Sequence, residues 1–372
     1  MSERTVYAAA RVWTGDAGGT IDDGAVLVED GRIVAVGTGA QLAAEAATAR
    51  VDFGPGTTLV PGLIDCHVHL SGTRAYGHES GHAALRTARA VEDLRRLVQA
   101  GYTSVRDVGG ATALGLREAV AEGTLPGPRI LAAGPIISQT AGHGDVHSLP
   151  LRWMETVEDS LLADGPDACR QAVRRVCRLD ADLIKICTTG GVGSEFDSPH
   201  DAHYTPEEIA AIVDEAHRLG RRVASHAQGA VGVRNAVEAG VDTIEHGYYL
   251  DEAAVEAMLR HATIFVPTFV LSEVYHTTLA QGVDMPAYRR RKQAEAMDAM
   301  VESVRLAHRA GVPIASGSDF VGAPMREHGR NAQDITALRS AGLSAEEALM
   351  AATSVAAPRV WPFWWRNDEL RL

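Results

Sequence analysis

The chain has 372 residues, of which 46% are hydrophobic and 22% charged, and a formal net charge of −13. That length holds one large domain with a small appendage, or two ordinary domains. The acidic balance, with no compensating basic stripe, argues against a nucleic-acid partner, because phosphate backbones require clustered Lys and Arg. No window reaches the roughly 18–20 apolar residues of a membrane span, and Arg11 interrupts the only apolar run near the N-terminus, so neither a membrane nor secretion by a signal peptide is expected. Cys66, Cys169, Cys177 and Cys187 show no CxxC spacing, which fits reduced thiols in a cytoplasmic protein.

Residues 6–12, 24–28 and 32–36 read as short strands, and Asp30-Gly31 between the last two is a hairpin signal. They make a small all-β unit over residues 1–60. From Leu63 the pattern alternates strand and helix, which implies parallel strands joined by crossover helices. Eight apolar strand candidates lie around Ile64, Val105, Ile130, Ile184, Val223, Ile244, Ile264 and Ile314, with helical patterns between them. The count favours an α/β fold of the (β/α)8 TIM barrel type over residues 61–357 rather than a doubly wound sheet. Thr205-Pro206-Glu207-Glu208 and Ser344-Ala345-Glu346-Glu347 predict helix starts with capping boxes. The glycine-rich connections 137–150 and 188–204 are expected to be lids or binding loops. The basic run Arg289-Arg290-Arg291-Lys292 reads as a solvated helix face. Residues 358–372 hold three of the five tryptophans; this tail docks on the barrel, seals an oligomer interface or is an abnormal end, and the sequence leaves all three open.

In Asp65-Cys66-His67-Val68-His69, residues two apart on a strand point the same way, so His67 and His69 aim at one spot. Such a pair alone is a weak signal. Barrel chemistry sits at the C-terminal ends of the strands, and those ends add Lys185, His226, His246 and Asp319. Singly, either histidine fits a core role and Asp319 fits a turn. Lys185, between Ile184 and Ile186, must snorkel or be paired, and desolvation lowers its pKa. Together the six describe a metal site. His143, Tyr248 and Gln228 are candidate substrate contacts, with Arg326 and His328 as further carboxylate-binding candidates.

On these residues the chain resembles the amidohydrolase superfamily, metal-dependent hydrolases built on a distorted (β/α)8 barrel, from about residue 5 to 357. Thr140-Ala141-Gly142-His143-Gly144-Asp145, Thr189-Gly190-Gly191-Val192 and Ile244-Glu245-His246-Gly247 are similar to the branch with Xaa-Pro dipeptidases, related metallo-carboxypeptidases and imidazolonepropionase-like proteins. The resemblance implies two divalent ions, usually Zn2+, bridged by an N6-carboxylated Lys185. His67, His69 and Asp319 would hold one ion, and His226 and His246 the other. It further implies amide or peptide hydrolysis of a small substrate, such as a dipeptide or N-acyl amino acid, by a metal-bridging hydroxide, with Asp319 as the catalytic proton carrier. Asp65 or Glu245 would fix an imidazole tautomer. An esterase, lactonase or organophosphate hydrolase on the same centre, and a noncatalytic structural relative, stay open as alternatives; Lys185 counts against a one-metal deaminase. Relatives continue past the equivalent of Pro358 with strands that complete the small sheet. Here those C-terminal strands are missing, so the small N-terminal β-sandwich-like domain is expected to expose an edge and to form a homo-oligomer or lie under the Trp-rich tail.

Overall fold

A computed structural model describes residues 3–43, 45, 47–72, 82–282, 285–323 and 326–357; the Trp-rich tail lies outside them. The chain divides into two compact units between Leu63 and Ile64.

The first unit contains a four-stranded sheet whose inner strands are mostly buried and whose outer strands are mostly exposed. Arg4–Ala8 lies between Gly24–Glu29, antiparallel to it, and Ala49–Asp52, parallel to it, while Arg32–Thr38 forms an outer edge. Val6, Ala8, Ala25, Leu27 and Leu42 pack on one side as its core. The expected hairpin is present. Asp30 and Gly31 both take positive φ, 48° and 76°, as a two-residue turn matched to strand twist requires. A second small sheet joins Thr20–Asp22, Arg11–Trp13 and Thr58–Leu59. The edge strand leaves Ile33 and Val34 about half exposed.

The second unit is α/β, and its extended ladders run parallel. One sheet holds Arg129–Ala132, Tyr102–Asp107 and Leu63–Val68. The other runs Ser160–Leu162, Ile136–Ser138, Leu183–Cys187, Arg222–Gly229, Thr243–Tyr249, Ile264–Val266. Both capping boxes form, at Thr205 with Glu208 and at Ser344 with Glu347. The helix Pro206–Arg218 buries Ile209, Ile212, Val213 and Ala216, an i, i+3, i+4, i+7 stripe. Each fully buried aliphatic side chain there contributes about 1.5–3 kcal/mol.

Two expectations need correction. The connection after Arg129–Ala132 is not a plain loop, because it carries the strands Ile136–Ser138 and Ser160–Leu162 and the 3-10 helix Leu151–Thr156. The stretch around Ile314 is not a laddered strand either. Ile314 makes a single parallel bridge to Phe265 and Phe320 one to Val68, and Ser316 O accepts from Cys66 N at 2.9 Å. Ala315, Ser316 and Asp319 donate their N–H groups to the carbonyls of Phe265 (2.8 Å), Ala351 (2.9 Å) and His67 (2.7 Å), and between them buried carboxylates take over. Asp334 accepts from Gly317 N (3.1 Å), Ser316 Oγ (2.7 Å) and Val270 N (2.9 Å), and Asp65 accepts from Ser318 N (3.0 Å), Ser318 Oγ (2.7 Å) and Asn331 Nδ2 (2.7 Å). Buried backbone groups need such partners where no ladder supplies them. Burial in turn pushes the Asp65 carboxyl up to about 6 and that of Asp334 to about 7.

Asp334→Ala strands three donors at once and is expected to cost on the order of 3 kcal/mol. Urea unfolding should show a lower midpoint with an unchanged slope; an unshifted midpoint would refute this role.

Candidate active site

The chemistry-bearing side chains converge where the parallel strands end. His67 lies on Leu63–Val68 with His69 just beyond it, Lys185 on Leu183–Cys187, His226 on Arg222–Gly229 and His246 on Thr243–Tyr249. Asp319 arrives on the irregular stretch, which glycine allows to come close. A Cβ on Gly317 would lie 2.6 Å from Val266 and 2.8 Å from the His67 Cβ. His246, Thr268 and Asp319 adopt positive φ of 75°, 50° and 54°. Left-handed backbone at such residues costs on the order of 1–3 kcal/mol each and concentrates at functional sites.

Each imidazole spends one nitrogen on the protein and keeps the other. His67 Nδ1 donates to Glu245 Oε2 at 2.7 Å, and His69 Nδ1 donates to Gly109 O at 3.0 Å. His246 Nδ1 donates to Thr268 Oγ1 at 2.9 Å, the threonine hydroxyl passing its own proton to Pro267 O. His226 Nε2 donates to Gly190 O at 3.2 Å. This fixes tautomers as metal-ligating histidines require. Asp319 Oδ1 lies 3.5 Å from His67 Nε2 and 3.2 Å from His69 Nε2. Ligand atoms of His67, His69 and Asp319 fall within 4.8 Å of one another, a grouping that fits one cation. His226 and His246 do not enter that group, though His246 is ring-to-ring with both His67 (4.9 Å) and His226 (4.7 Å).

Electrostatics favour the ligand forms. Burial, helped by the Lys185 charge, lowers His67 to about 4. Burial holds His226 and His246 well below the usual imidazole range too. Burial opposes ionisation of Asp319, but Arg326 and the two imidazoles outweigh it and hold the carboxylate well below its ordinary range. Lys185 is 3% exposed, its pKa is lowered by burial, and its Nζ has no hydrogen-bond partner. Such a group is costly as a bare ammonium.

Sequence reasoning singled out Glu245 and Asp65 as candidates to orient an imidazole. Glu245 takes that place, and Asp65 instead accepts from the His67 backbone N–H at 3.0 Å. It missed Arg106, which is fully buried and donates to Glu245 Oε1 (2.7 Å), Cys66 O (2.5 Å) and Thr243 Oγ1 (3.1 Å). The signal was available, since Arg106 follows Ser104-Val105 inside an apolar strand as Lys185 follows Ile184.

Beside the centre opens a pocket of about 170 Å³. His143, Gln228 and Tyr248 line it together with His69, His226, His246, Asp319 and Arg326. Both long connections reach it, one through His143 and the other through Val192 and Gly193. The His143 ring stacks on His226 at 4.0 Å, and its Nδ1 bonds Ser194 Oγ (2.8 Å) and Asp197 Oδ2 (3.3 Å). Gln228 Oε1 accepts from Val192 N at 3.1 Å. Burial raises the Tyr248 phenol, which keeps its proton and bonds Thr268. Arg326 donates to Asp319 Oδ2 at 2.8 Å. His328 is not a pocket residue. It is buried with Nε2 3.4 Å from His69 O.

The basic run 289–292 is also not a solvated face. Of these four residues of the helix Ala287–Ala310, only Arg290 and Arg291 are exposed, because four consecutive residues turn fully around a helix. Arg289 lines the pocket. Lys292, 8% exposed, donates from Nζ to Ser194 O (2.7 Å), to Asp197 O and to Gly191 O (3.4 Å). Its place on the buried i, i+4, i+8 row with Ala296 and Met300 was the readable clue.

Burial opposes protonation of His69 as well, but its bond to Asp319 and the charges of Asp319 and Asp107 raise its pKa. Imidazoles and a carboxylate grouped in this way beside a pocket fit a hydrolase. The chain belongs to the amidohydrolase family, whose sequence model matches residues 58–359; an imidazolonepropionase-like composite domain of bacteria matches residues 24–49. It is a hydrolase acting on carbon–nitrogen bonds. The chain is 32% identical over 377 residues to the ochratoxinase of Aspergillus niger, covering 96% of this chain and 77% of that protein. The crystal structure of A. niger ochratoxinase matches with a TM-score of 0.86 at 30% identity, over 97% of this chain and 85% of the other. A Xaa-Pro dipeptidase with methionine bound in its active site matches at 0.85 and 30% identity, over 96% and 89%. A prolidase complexed with N-methylphosphonate-L-proline matches at 0.84 and 33%, over 96% and 87%. Among the described residues no helix is long and apolar enough to cross a membrane.

Lys292→Met is expected to loosen the segment that seats His143. Catalytic efficiency should fall by about 10–100-fold while metal content and circular dichroism stay at wild-type levels; wild-type efficiency would show that Lys292 does not position His143.

Proposed function

We propose that this chain hydrolyses the amide bond of a dipeptide or N-acyl amino acid at a binuclear centre, with Zn2+ as the metal and Lys185 N6-carboxylated. The observation that carries the proposal is the buried, unpartnered Lys185 Nζ beside imidazoles that are kept neutral. His67, His69 and Asp319 would hold one ion, His226 and His246 the second, and the Lys185 carbamate would join them. When bound, two such ions lower the pKa of a water molecule and polarise an amide carbonyl.

The chain's own residues supply the rest. Asp319, ionised and held by Arg326, accepts a proton from the attacking water and returns it to the leaving nitrogen. His143, seated by Asp197 and Ser194, is assigned to the scissile carbonyl, and the protonated Tyr248, with Gln228, to the rest of the substrate. The dipeptidase with bound methionine and the prolidase with its proline phosphonate support an amino-acid-derived substrate. We infer also that the parallel strands close into a distorted (β/α)8 barrel. The bridges Val68–Phe320 and Phe265–Ile314, and the Asp182 N–H on Ala132 O at 2.9 Å, support closure.

Metal analysis of the purified protein, paired with a screen of dipeptides and N-acyl amino acids, tests this. Two equivalents of zinc per chain are expected, with turnover abolished by a chelator and lowered by about 1,000-fold or more in Asp319→Asn. Turnover that persists after complete metal removal would end the proposal.

A further inference from the structure

Two residues past the strand Ile264–Val266, the side chain of Thr268 is fully buried against His246. We propose that Thr268 is a positioning residue: its hydroxyl orients His246 toward the ion assigned to His226 and His246, and so decides how firmly that ion is held. The inference rests on the binuclear reading and adds the residue on which the second ion depends.

The direction of the hydrogen bonds is forced from one end. Pro267 O can only accept, and the Thr268 hydroxyl gives it the single proton it has, at 2.7 Å. Toward His246 the hydroxyl is left with lone pairs, so Nδ1, 2.9 Å away, must carry the hydrogen. Nε2 is then the bare nitrogen, the one that a cation can take. The backbone shows that this hydroxyl is kept at a cost. Thr268 has a φ of 50°, where β-branched residues are rarely found, and such strain costs on the order of 1–3 kcal/mol. Glycine would relieve it but would supply no hydroxyl. The segment is also pinned, because Leu271 N donates to Thr268 O at 3.1 Å and Val270 N donates to Asp334 Oδ1 at 2.9 Å. The four imidazoles are not held alike. His67 leans on the carboxylate of Glu245, and His69 and His226 lean on the main-chain carbonyls of Gly109 and Gly190. His246 alone among the four is oriented by an uncharged side chain, so its tautomer hangs on one side-chain oxygen. The Tyr248 hydroxyl bonds the same threonine, and its ring lies 5.6 Å from that of His246, so the phenol needs a control of its own.

The test is zinc affinity, measured by competition between the zinc-loaded protein and a chromogenic chelator, with hydrolysis of dipeptides and N-acyl amino acids followed in parallel. Thr268→Val keeps the branched shape and removes the acceptor. In it the second zinc is expected to bind about 10–100-fold more weakly, with the first moved by less than about threefold. Thr268→Gly removes the hydroxyl while relieving the backbone strain, so the same loss is expected there and a folding defect is told apart from a lost acceptor. Thr268→Ser, which keeps the hydroxyl, should recover most of the loss, and Tyr248→Phe should move neither ion by more than about threefold. A wild-type second affinity in Thr268→Val or Thr268→Gly overturns the proposal. So does an equal loss in Thr268→Ser, a loss as large in Tyr248→Phe, or a parallel weakening of both ions. A wild-type chain that takes up a single zinc rejects the binuclear reading and this inference with it. Zinc affinities that behave as expected while no amide is hydrolysed uphold the role of Thr268 and reject the reading of the reaction.

Discussion

The centre is organised by a positive charge in a place that gives it no acceptor. Lys185 is buried on a central strand with its Nζ unpartnered, and Glu245, the buried acid that acts on it most strongly, is already engaged by Arg106 and His67. As an ammonium, Lys185 adds to Arg106 and Arg326 against only Glu245 and Asp319. The proposed carbamate would reverse its sign, a swing of two charges, and would turn a site hostile to cations into one that favours them. The neutral imidazoles of His226 and His246 follow from the same burial, which at His246 outweighs the neighbouring anions, with the Lys185 charge adding to it at both.

The supporting shell has its own logic. Arg106 ties Glu245 to the carbonyl of Cys66, one residue before His67, so a single guanidinium sets both the strand end and the acid that orients the first imidazole. Asp65 and Asp334 perform the corresponding task for the stretch that brings in Asp319. The stretch that departs from regular strand geometry is thus held at Gly317 and Ser318 by carboxylate side chains, between backbone bonds to Phe265 and His67.

Much of this was legible from periodicity. A period of two set His67 and His69 on one side, apolar strand ends exposed Lys185, His226 and His246, and capping boxes marked helix starts that form as expected. What escaped depended on tertiary partners. The eighth strand candidate has an apolar pattern, yet the close approach at Gly317 and the positive φ of Asp319 break its ladder into single bridges. The charges of 289–292 looked solvated because their count was read without their angular positions around the helix. His328 was misplaced because nearness in sequence to Asp319 does not say whether a ring will reach the pocket or be buried against a neighbouring carbonyl.

The fastening of Lys292 to the Gly191–Asp197 turn couples two properties that enzymes often separate. The helix that lines the substrate wall is also the one that holds the segment seating His143, so sliding or tilting it to reshape the pocket would disturb the reacting end of the site. The wall can therefore be reshaped without that disturbance only by exchanging side chains that the helix presents to the pocket, with the helix itself kept in register.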